Sequence, residues 1–312
     1  MGERRVVEFD VDRYLRNSKK LDLSDIDWVE IPKHPLCDGD VMCVHYMMDI
    51  ETHTVIYLRD LLATRAANEP HVTAFLSCWV YEELWHGEAF SDFLRAYGIE
   101  TPVEPKLPDG TTPLPTRPSR TAKVREQLGI GHKLALLPSM LGSMVIRDFV
   151  ALHMTWGAIN ELTTLSSYYQ LIRRSEHPVL HQMLHKVIQD ERRHFAFYRA
   201  QAKARLTGNP TAGRIVRWAL QKLWLPVGAG VKSDEDGVKS DEEVDALALY
   251  LFGDAPEGRA AIGEIDATIS SLPGLDGLRV VEDALELALE RAHLKPGWAG
   301  PALVAPRTML AA

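Results

Sequence analysis

The chain has 312 residues, of which 46% are hydrophobic and 25% charged, and its formal net charge is -8 at pH 7. This composition is typical of a globular protein with enough apolar side chains for a large core, and it excludes a chain that is disordered throughout. The negative charge argues against a protein whose main activity is binding the phosphate backbone of nucleic acids.

Cysteine usage and hydropathy bear on the environment of the protein. The three cysteines, Cys37, Cys43 and Cys78, form no CxxC pair, so neither a disulfide framework nor a thiolate zinc site is indicated. The N-terminal residues mix basic and acidic side chains and lack the apolar core of a signal peptide. No uninterrupted apolar run of about 18 residues occurs. We therefore expect a cytoplasmic protein without a membrane span.

The hydrophobic pattern predicts an all-α fold. Residues 10–35 are polar and are expected to form a short helix and an extended lead-in. A first long helix is predicted from about Met42 to Asn68, and a second one ends at Gly98. Residues 101–119 contain six prolines, which favours an extended connection without regular structure.

The second half of the chain is also predicted to be helical. After a helix at 121–136, a long helix ends near Arg174, and another begins at Pro178. Weaker helical patterns follow near residues 213–224, 241–252, 256–271 and 279–294. A tandem repeat at 230–243 is expected to form a mobile, solvated loop.

These patterns divide the chain into three regions. Residues 1–40 form an N-terminal lead-in, residues 41–208 carry the long helices, and residues 209–312 contribute accessory C-terminal helices. The long helices of the central region are the elements that carry the chemistry-bearing residues.

Acidic and imidazole side chains interrupt the apolar faces of the long helices. In chain order, the pattern is a lone glutamate, a Glu-x-x-His pair, a second lone glutamate and a second Glu-x-x-His pair. The residues are Glu51, Glu83, His86, Glu161, Glu191 and His194. Each Glu-x-x-His pair places a carboxylate and an imidazole on one helix face, within reach of a common ion. Each pair also follows its lone glutamate at a similar interval, 32 and 30 residues.

This set of residues is typical of carboxylate-bridged bundles that bind two iron or two manganese ions. Four carboxylates balance the charge of two divalent ions, whereas without metal they would repel one another in an apolar interior. Mixed oxygen and nitrogen ligation without thiolate favours iron, with manganese as the alternative. A further Glu-x-x-His pair, Glu290 and His293, has no matching lone glutamate and is interpreted as a surface feature.

Three motifs point to a family. The first pair lies in EELWHG, the second lies in DERRH, and Glu161 is followed by Thr164 in an ExxT pattern. Over residues 40–205 the chain therefore resembles the ferritin-like superfamily, and within it the soluble acyl-acyl carrier protein desaturases. The resemblance implies a ferritin-like four-helix bundle with additional helices.

The same resemblance implies roles for individual residues. The six residues named above would be iron ligands, with Glu83 and not Glu82 facing the metal. Asp190 would hold the ring of a ligand histidine in orientation. Thr164 would lie beside the oxygen-binding side of the cluster and help to deliver protons.

The activity implied by the resemblance is desaturation of a fatty acyl chain carried on acyl carrier protein. Such an enzyme uses O2 and an external electron donor such as ferredoxin, and we expect a homodimer. One alternative is a di-iron hydroxylase or N-oxygenase that acts on a small molecule, and another is an iron-handling protein without catalysis. A long bent cavity beside Glu161 and Thr164 would indicate an acyl chain, and a compact polar pocket would indicate a small molecule.

Other notable residues have simpler interpretations. Aromatic side chains at helical spacing, such as Trp79 and Tyr198, are expected to pack in the core. Arg192 and Arg193 are interpreted as ordinary helix-surface cations. A ladder of histidines is expected on a solvated helix face, and its members are His177, His181 and His185.

Overall fold

A computed structural model describes residues 9–99, 148–229, 240–253 and 256–294 of the chain. All regular secondary structure within these ranges is helical, which confirms the predicted all-α class. The proline-rich connection, the helix predicted at 121–136 and most of the repeat at 230–243 lie outside the described residues. In the parts of the chain that are described, no helix is both long enough and apolar enough to cross a membrane.

The helices are numbered in chain order. They are α1 (Val11–Asn17), α2 (Asp38–Leu62), α3 (Pro70–Ala96), α4 (Phe149–Arg174), α5 (Pro178–Leu206), α6 (Pro210–Leu223), α7 (Ser240–Ala248), α8 (Pro256–Ser270) and α9 (Val280–Leu294). Two short 3-10 turns occur at Ile31–Lys33 and Arg65–Asn68, and a π-helical turn at Leu249–Gly253 follows α7 directly.

The four long helices pack as two pairs. Helix α2 packs along α3, helix α4 packs along α5, and the pairs meet through contacts of α3 with α5 and of α2 with α4. The C-terminal helices α6 and α8 pack against α4, and α9 packs against α7 and α8. One continuous cluster of buried apolar side chains runs through the long helices and most of the C-terminal ones. The C-terminal region thus shares the core of the long helices.

The predicted end of α3 is confirmed. Gly98 has φ +92, a conformation that glycine adopts without steric cost. The Gly98 N–H donates to Arg95 O (3.0 Å) and the Ile99 N–H donates to Leu94 O (2.9 Å). These two bonds satisfy carbonyls at the helix end in the pattern of a Schellman motif.

Two predictions about local structure are wrong. Helix α2 ends at Leu62 and not at Asn68, because the Thr64 side chain accepts a bond from the Ala66 N–H (3.3 Å) and starts a separate 3-10 turn. His177 does not lie on a solvated face but is fully buried. It caps α5 by accepting from the Leu180 N–H (3.2 Å), and its other ring nitrogen donates to Ile31 O (3.0 Å).

Each helix pair contains a glycine where the two helices approach closely. A Cβ atom on Gly87 would lie 2.6 Å from Thr52 Oγ1 and 3.2 Å from the Thr52 backbone nitrogen. In the other pair, a Cβ atom on Gly157 would lie 2.3 Å from the Tyr198 ring. Gly87 directly follows His86 in the EELWHG motif, so the glycine of that motif has a packing role between α2 and α3.

We expect the substitution Gly87→Ala to lower the free energy of unfolding by about 1–3 kcal/mol because the added methyl overpacks the α2–α3 contact. Urea denaturation monitored by circular dichroism measures this change. The matched control is Gly263→Ala in α8, where the new Cβ would meet only Glu282 Oε1 at 3.4 Å. This control should gain up to about 1 kcal/mol from helix propensity. Equal effects at both positions would contradict the packing role.

Candidate metal centre

The six predicted ligand residues converge between the two helix pairs. Helix α2 provides Glu51, α3 provides Glu83 and His86, α4 provides Glu161, and α5 provides Glu191 and His194. None of these residues is more than 6% exposed. The apolar faces of the helices that pack together therefore carry all six side chains into the interior.

The ligand atoms form two overlapping groups, and within each group they lie within 4.8 Å of one another. One group contains Glu51, Glu83, His86 and Glu191. The other contains Glu83, Glu161, Glu191 and His194. Glu83 and Glu191 belong to both groups, so each can offer one carboxylate oxygen to each of two neighbouring cations. Each group could hold a metal ion, and two such sites would share Glu83 and Glu191.

Several buried atoms in the cluster approach one another without forming hydrogen bonds. His194 Nδ1 lies 3.1 Å from Glu83 Oε1, and Glu191 Oε1 lies 3.1 Å from His86 Nδ1. Yet His194 Nδ1 and Glu191 Oε1 are buried without a hydrogen-bond partner. Buried polar atoms in this condition are costly unless a cation lies between them. The donor set therefore fits metal ions, with both histidines facing inward through Nδ1.

The outward nitrogens of the two histidines are bound by carboxylates. His86 Nε2 donates to Asp190 Oδ2 (3.2 Å), and His194 Nε2 donates to Glu82 Oε2 (2.8 Å). Such bonds fix the ring orientation and leave the inward nitrogen available as a ligand. Asp190 thus contacts one of the two predicted ligand histidines. Glu82 belongs to neither ligand group, but it is fully buried and holds the second histidine.

A tyrosine and an arginine complete this outer layer. The Tyr14 hydroxyl of α1 donates to Glu82 Oε2 (2.7 Å). Arg193 donates to Glu82 Oε1 (2.9 Å) and to Asp190 Oδ1 (2.6 Å), which joins the supports of the two histidines. The interpretation of Arg193 as an ordinary surface cation is therefore wrong. Neither contact with Glu82 could be recognised from the sequence, since Tyr14 lies 68 positions and Arg193 lies 111 positions from Glu82.

A small cavity lies beside the cluster on the side of α2 and α4. It has a volume of about 70 Å³, and its wall includes Glu51, Thr164 and Tyr168. The Tyr168 hydroxyl donates to Glu51 Oε1. Thr164 is not among the clustered ligand residues, but it shares the cavity wall with Glu51. The cavity thus borders the cluster at Glu51, and the other five predicted ligand residues are not part of its wall.

Burial governs the protonation of the lone glutamates. Burial, together with the charge of Glu83, raises the pKa of Glu51 well above its usual range. Burial and the charge of Glu191 do the same to the pKa of Glu161. Burial alone would also raise the pKa of Glu83, but hydrogen bonding with Glu51 and the positive charge of His194 hold it well below its usual value.

The histidines shift in the opposite sense to ordinary buried imidazoles. Burial alone would lower the pKa of His86, but Asp190 and the adjoining carboxylates of Glu191 and Glu83 raise it well above its usual range. The pKa of His194 is likewise raised, because the nearby Tyr14, Glu83 and Glu191 outweigh its burial. Without metal, these shifts therefore favour protons on two glutamates and two histidines, which offset the carboxylate charge.

Comparison with known proteins finds no matching family model, no matching curated protein and no matching solved structure. The case for a metal centre consequently rests on the convergence, burial and donor chemistry of these side chains.

The overlap of the two groups predicts distinct metal stoichiometries. Wild-type protein should bind about two iron or manganese ions per chain. Glu51→Ala, which removes a ligand of one group, should retain about one ion. Glu83→Ala, which removes a ligand from both groups, should retain almost none. Elemental analysis after dialysis against low metal concentrations measures the difference. The exposed Glu290 provides the control, since Glu290→Ala should bind as wild type does. Equal metal content in all variants would rule out the assignment.

Metal binding should release protons. Raised pKa values favour the protonated forms of Glu51, Glu161, His86 and His194 without metal, and a cation must displace those protons. The apparent affinity for Mn²⁺ should therefore rise with pH. Titration calorimetry at pH 7 in buffers of different ionisation enthalpy counts the protons, and we expect more than about one per ion. A binding enthalpy that is independent of the buffer would contradict the protonated cluster.

Proposed function

We propose that the protein is a ferritin-like di-iron oxidoreductase that activates O2 to oxidise an organic substrate. The observation that carries the proposal is the pair of overlapping carboxylate and histidine groups, buried where two helix pairs meet. Oxygen and nitrogen donors without thiolate suit iron, with manganese as the alternative. The four long helices supply these donors in the order expected for a ferritin-like four-helix bundle.

Two iron ions, when bound and reduced, supply electrons for the activation of O2. The protein supplies position and protection. Asp190 and Glu82 orient the two histidine rings, and Tyr168 orients Glu51. The burial of all six ligand residues excludes bulk water, which strengthens electrostatic interactions and limits side reactions. Thr164 lines the same cavity as Glu51, which supports a role for its hydroxyl as a proton carrier.

The motifs EELWHG, DERRH and ExxT support desaturation of an acyl chain on acyl carrier protein as the first candidate reaction. Loss of two hydrogen atoms from the chain, with two electrons and two protons from outside, reduces O2 to two water molecules. A ferredoxin-type protein is the proposed electron donor.

The second candidate is hydroxylation or N-oxygenation of a small molecule, and the cavity beside Glu51 meets the criterion for neither candidate in full. Its volume of about 70 Å³ is compact and not the long bent tunnel that an acyl chain requires. Its lining is mainly apolar, so it also differs from the compact polar pocket expected for a small polar substrate. An apolar space that reaches Glu51 supports an organic substrate over iron storage.

A single-turnover experiment tests the proposal. The iron-loaded protein is reduced anaerobically with ferredoxin or dithionite and then mixed with O2 and acyl carrier protein substrates of several chain lengths or with small hydrocarbons. We expect O2 consumption that depends on iron and is stimulated by the correct substrate. Product mass separates desaturation, a loss of two hydrogen atoms, from oxygenation, a gain of one oxygen. Mineral growth without any oxidised organic product would refute the proposal.

A pair of threonine variants provides a matched control within the same experiment. Thr163 and Thr164 both line the cavity, but the Thr163 hydroxyl donates to Ile159 O (2.7 Å). Thr164→Val should lower the yield of product per O2 consumed by about tenfold or more, because the proton-carrying hydroxyl is lost. Thr163→Val should stay within about twofold of wild type. A larger effect at Thr163 than at Thr164 would exclude the proposed proton path.

A further inference from the structure

The two histidines of the cluster are held by different supports. His86 Nε2 donates to Asp190 (3.2 Å), which is 8% exposed. His194 Nε2 donates to Glu82 (2.8 Å), which is fully buried and also accepts a bond from the Tyr14 hydroxyl (2.7 Å). The histidine of α5 therefore depends on a residue of α1, which lies outside the four long helices.

The hydroxyl group of Tyr14 is the part of this side chain that apolar packing does not explain. The centroid of its ring lies 4.9 Å from that of Phe75 and 5.8 Å from that of Phe9, and the residue is 3% exposed. A phenylalanine could make the same ring contacts. Because a buried hydroxyl without a hydrogen bond is costly, the bond to Glu82 is what makes a tyrosine favourable at this position.

Tyr14 completes the hydrogen bonding of a buried carboxylate. Glu82 Oε2 accepts from both Tyr14 and His194, and Glu82 Oε1 accepts from Arg193 (2.9 Å). Donors from α1 and α5 thus hold both oxygens of this α3 side chain in position. Without the Tyr14 hydroxyl, Oε2 would lose one of these two bonds, and a less constrained carboxylate would hold His194. Tyr14 therefore acts on His194 through Glu82.

His194 belongs to one of the two ligand groups only. The His86 group consists of Glu51, Glu83, His86 and Glu191, and the His194 group consists of Glu83, Glu161, Glu191 and His194. His194 faces its group through Nδ1, which lies 3.1 Å from Glu83 Oε1. A shift of the imidazole ring would move this nitrogen away from the position that a cation in the His194 group requires. The Tyr14 hydroxyl therefore bears directly on one of the two candidate metal positions.

We propose that Tyr14 is a positioning residue for the cation of the His194 group, and that docking of α1 and occupancy of this group are coupled. The inference rests on the metal centre of the proposed function and not on its reaction with O2. Coupling between two sites is reciprocal. If docked α1 raises the affinity of the His194 group for a cation, the cation must favour the docked position of α1 by the same factor. The region predicted as an N-terminal lead-in is thereby a part of the metal site.

Two variants of the full chain, each of which retains one complete group, test the proposal. Glu51→Ala keeps the His194 group, and Glu161→Ala keeps the His86 group. Titration with Mn²⁺, in which electron paramagnetic resonance counts the free ion, gives the affinity of each variant. Adding Tyr14→Phe should lower the affinity about tenfold or more in the Glu51→Ala background. The same change should alter the affinity by less than about twofold in the Glu161→Ala background, because His86 is held by Asp190.

The comparison of the two backgrounds separates positioning from stability. An equal loss of affinity in both backgrounds would indicate a general structural effect and would overturn the proposal, as would an unchanged affinity in the Glu51→Ala background. The matched control is Tyr250→Phe, which also removes a hydroxyl that donates to a carboxylate, Asp40 Oδ1 (2.9 Å). Asp40 belongs to neither ligand group, so this variant should leave the affinity in both backgrounds within about twofold.

Hydrogen exchange provides a second measurement in which no ligand residue is substituted. The Tyr14 N–H donates to Asp10 O (3.0 Å), and the Ser18 N–H donates to Tyr14 O (2.9 Å), so both amides report on the opening of α1. Mn²⁺ should slow their exchange by about tenfold in wild-type protein, in line with the reciprocal effect on affinity. In Tyr14→Phe this effect of Mn²⁺ should be absent. An equal effect of Mn²⁺ in both proteins would overturn the coupling.

Failure of this inference is distinguishable from failure of the proposed function. If wild-type protein binds two ions but Tyr14→Phe changes neither affinity nor exchange, the metal centre stands and the positioning role of Tyr14 is wrong. If metal binding depends on Tyr14 as stated but the reduced, iron-loaded protein oxidises no organic substrate, the positioning role stands and the proposed function is wrong. If wild-type protein binds no metal, both are wrong.

Discussion

The structure depends on one electrostatic constraint, the placement of four carboxylates in a dry apolar interior. Burying even one unpaired carboxylate costs several kcal/mol, and four close together would repel one another. Cations or protons must therefore offset their charge. The donor set fits cations, since His194 Nδ1 and Glu191 Oε1 are buried without hydrogen-bond partners. The helix pairs around them provide both the enclosure and the four backbones that carry the ligands.

A second layer of polar groups connects the histidines of the cluster to more distant parts of the chain by hydrogen bonds. Glu82 is fully buried and connects His194 to Tyr14 and Arg193. Through these bonds the short helix α1 and the outer face of α5 influence the orientation of one histidine ring. The histidine on the other side depends on Asp190 in the same manner. A buried polar network of this kind stabilises one arrangement only when all its members are satisfied.

Sequence periodicity predicted most of the helices and the six acidic and imidazole residues that converge, because both follow from which residues share a helix face. Glu83 and His86 lie one turn apart on α3, so their proximity is a local property. The partners of Tyr14 and His177 lie 68 and 146 positions away, and no local pattern encodes such contacts. The end of α2 was also missed, since it depends on the Thr64 side chain starting a new turn. Part of the cavity lining comes from Val244, Leu247 and Phe252, in a region whose helical pattern in the sequence was weak. The position of this region beside α2 could therefore be found only from the packing of the folded chain.

The two ligand groups have a symmetry that follows from how the helices are paired. Glu51, Glu83 and His86 come from α2 and α3, and the first group adds only Glu191 from the other pair. The second group has the reverse composition, with Glu83 as its one residue from the first pair. Each helix pair thus supplies three of the four residues of one group, and the fourth residue is a glutamate from the other helix pair. Cations held by these groups would consequently join the two helix pairs, and each cation would lose one protein ligand if the pairs moved slightly apart.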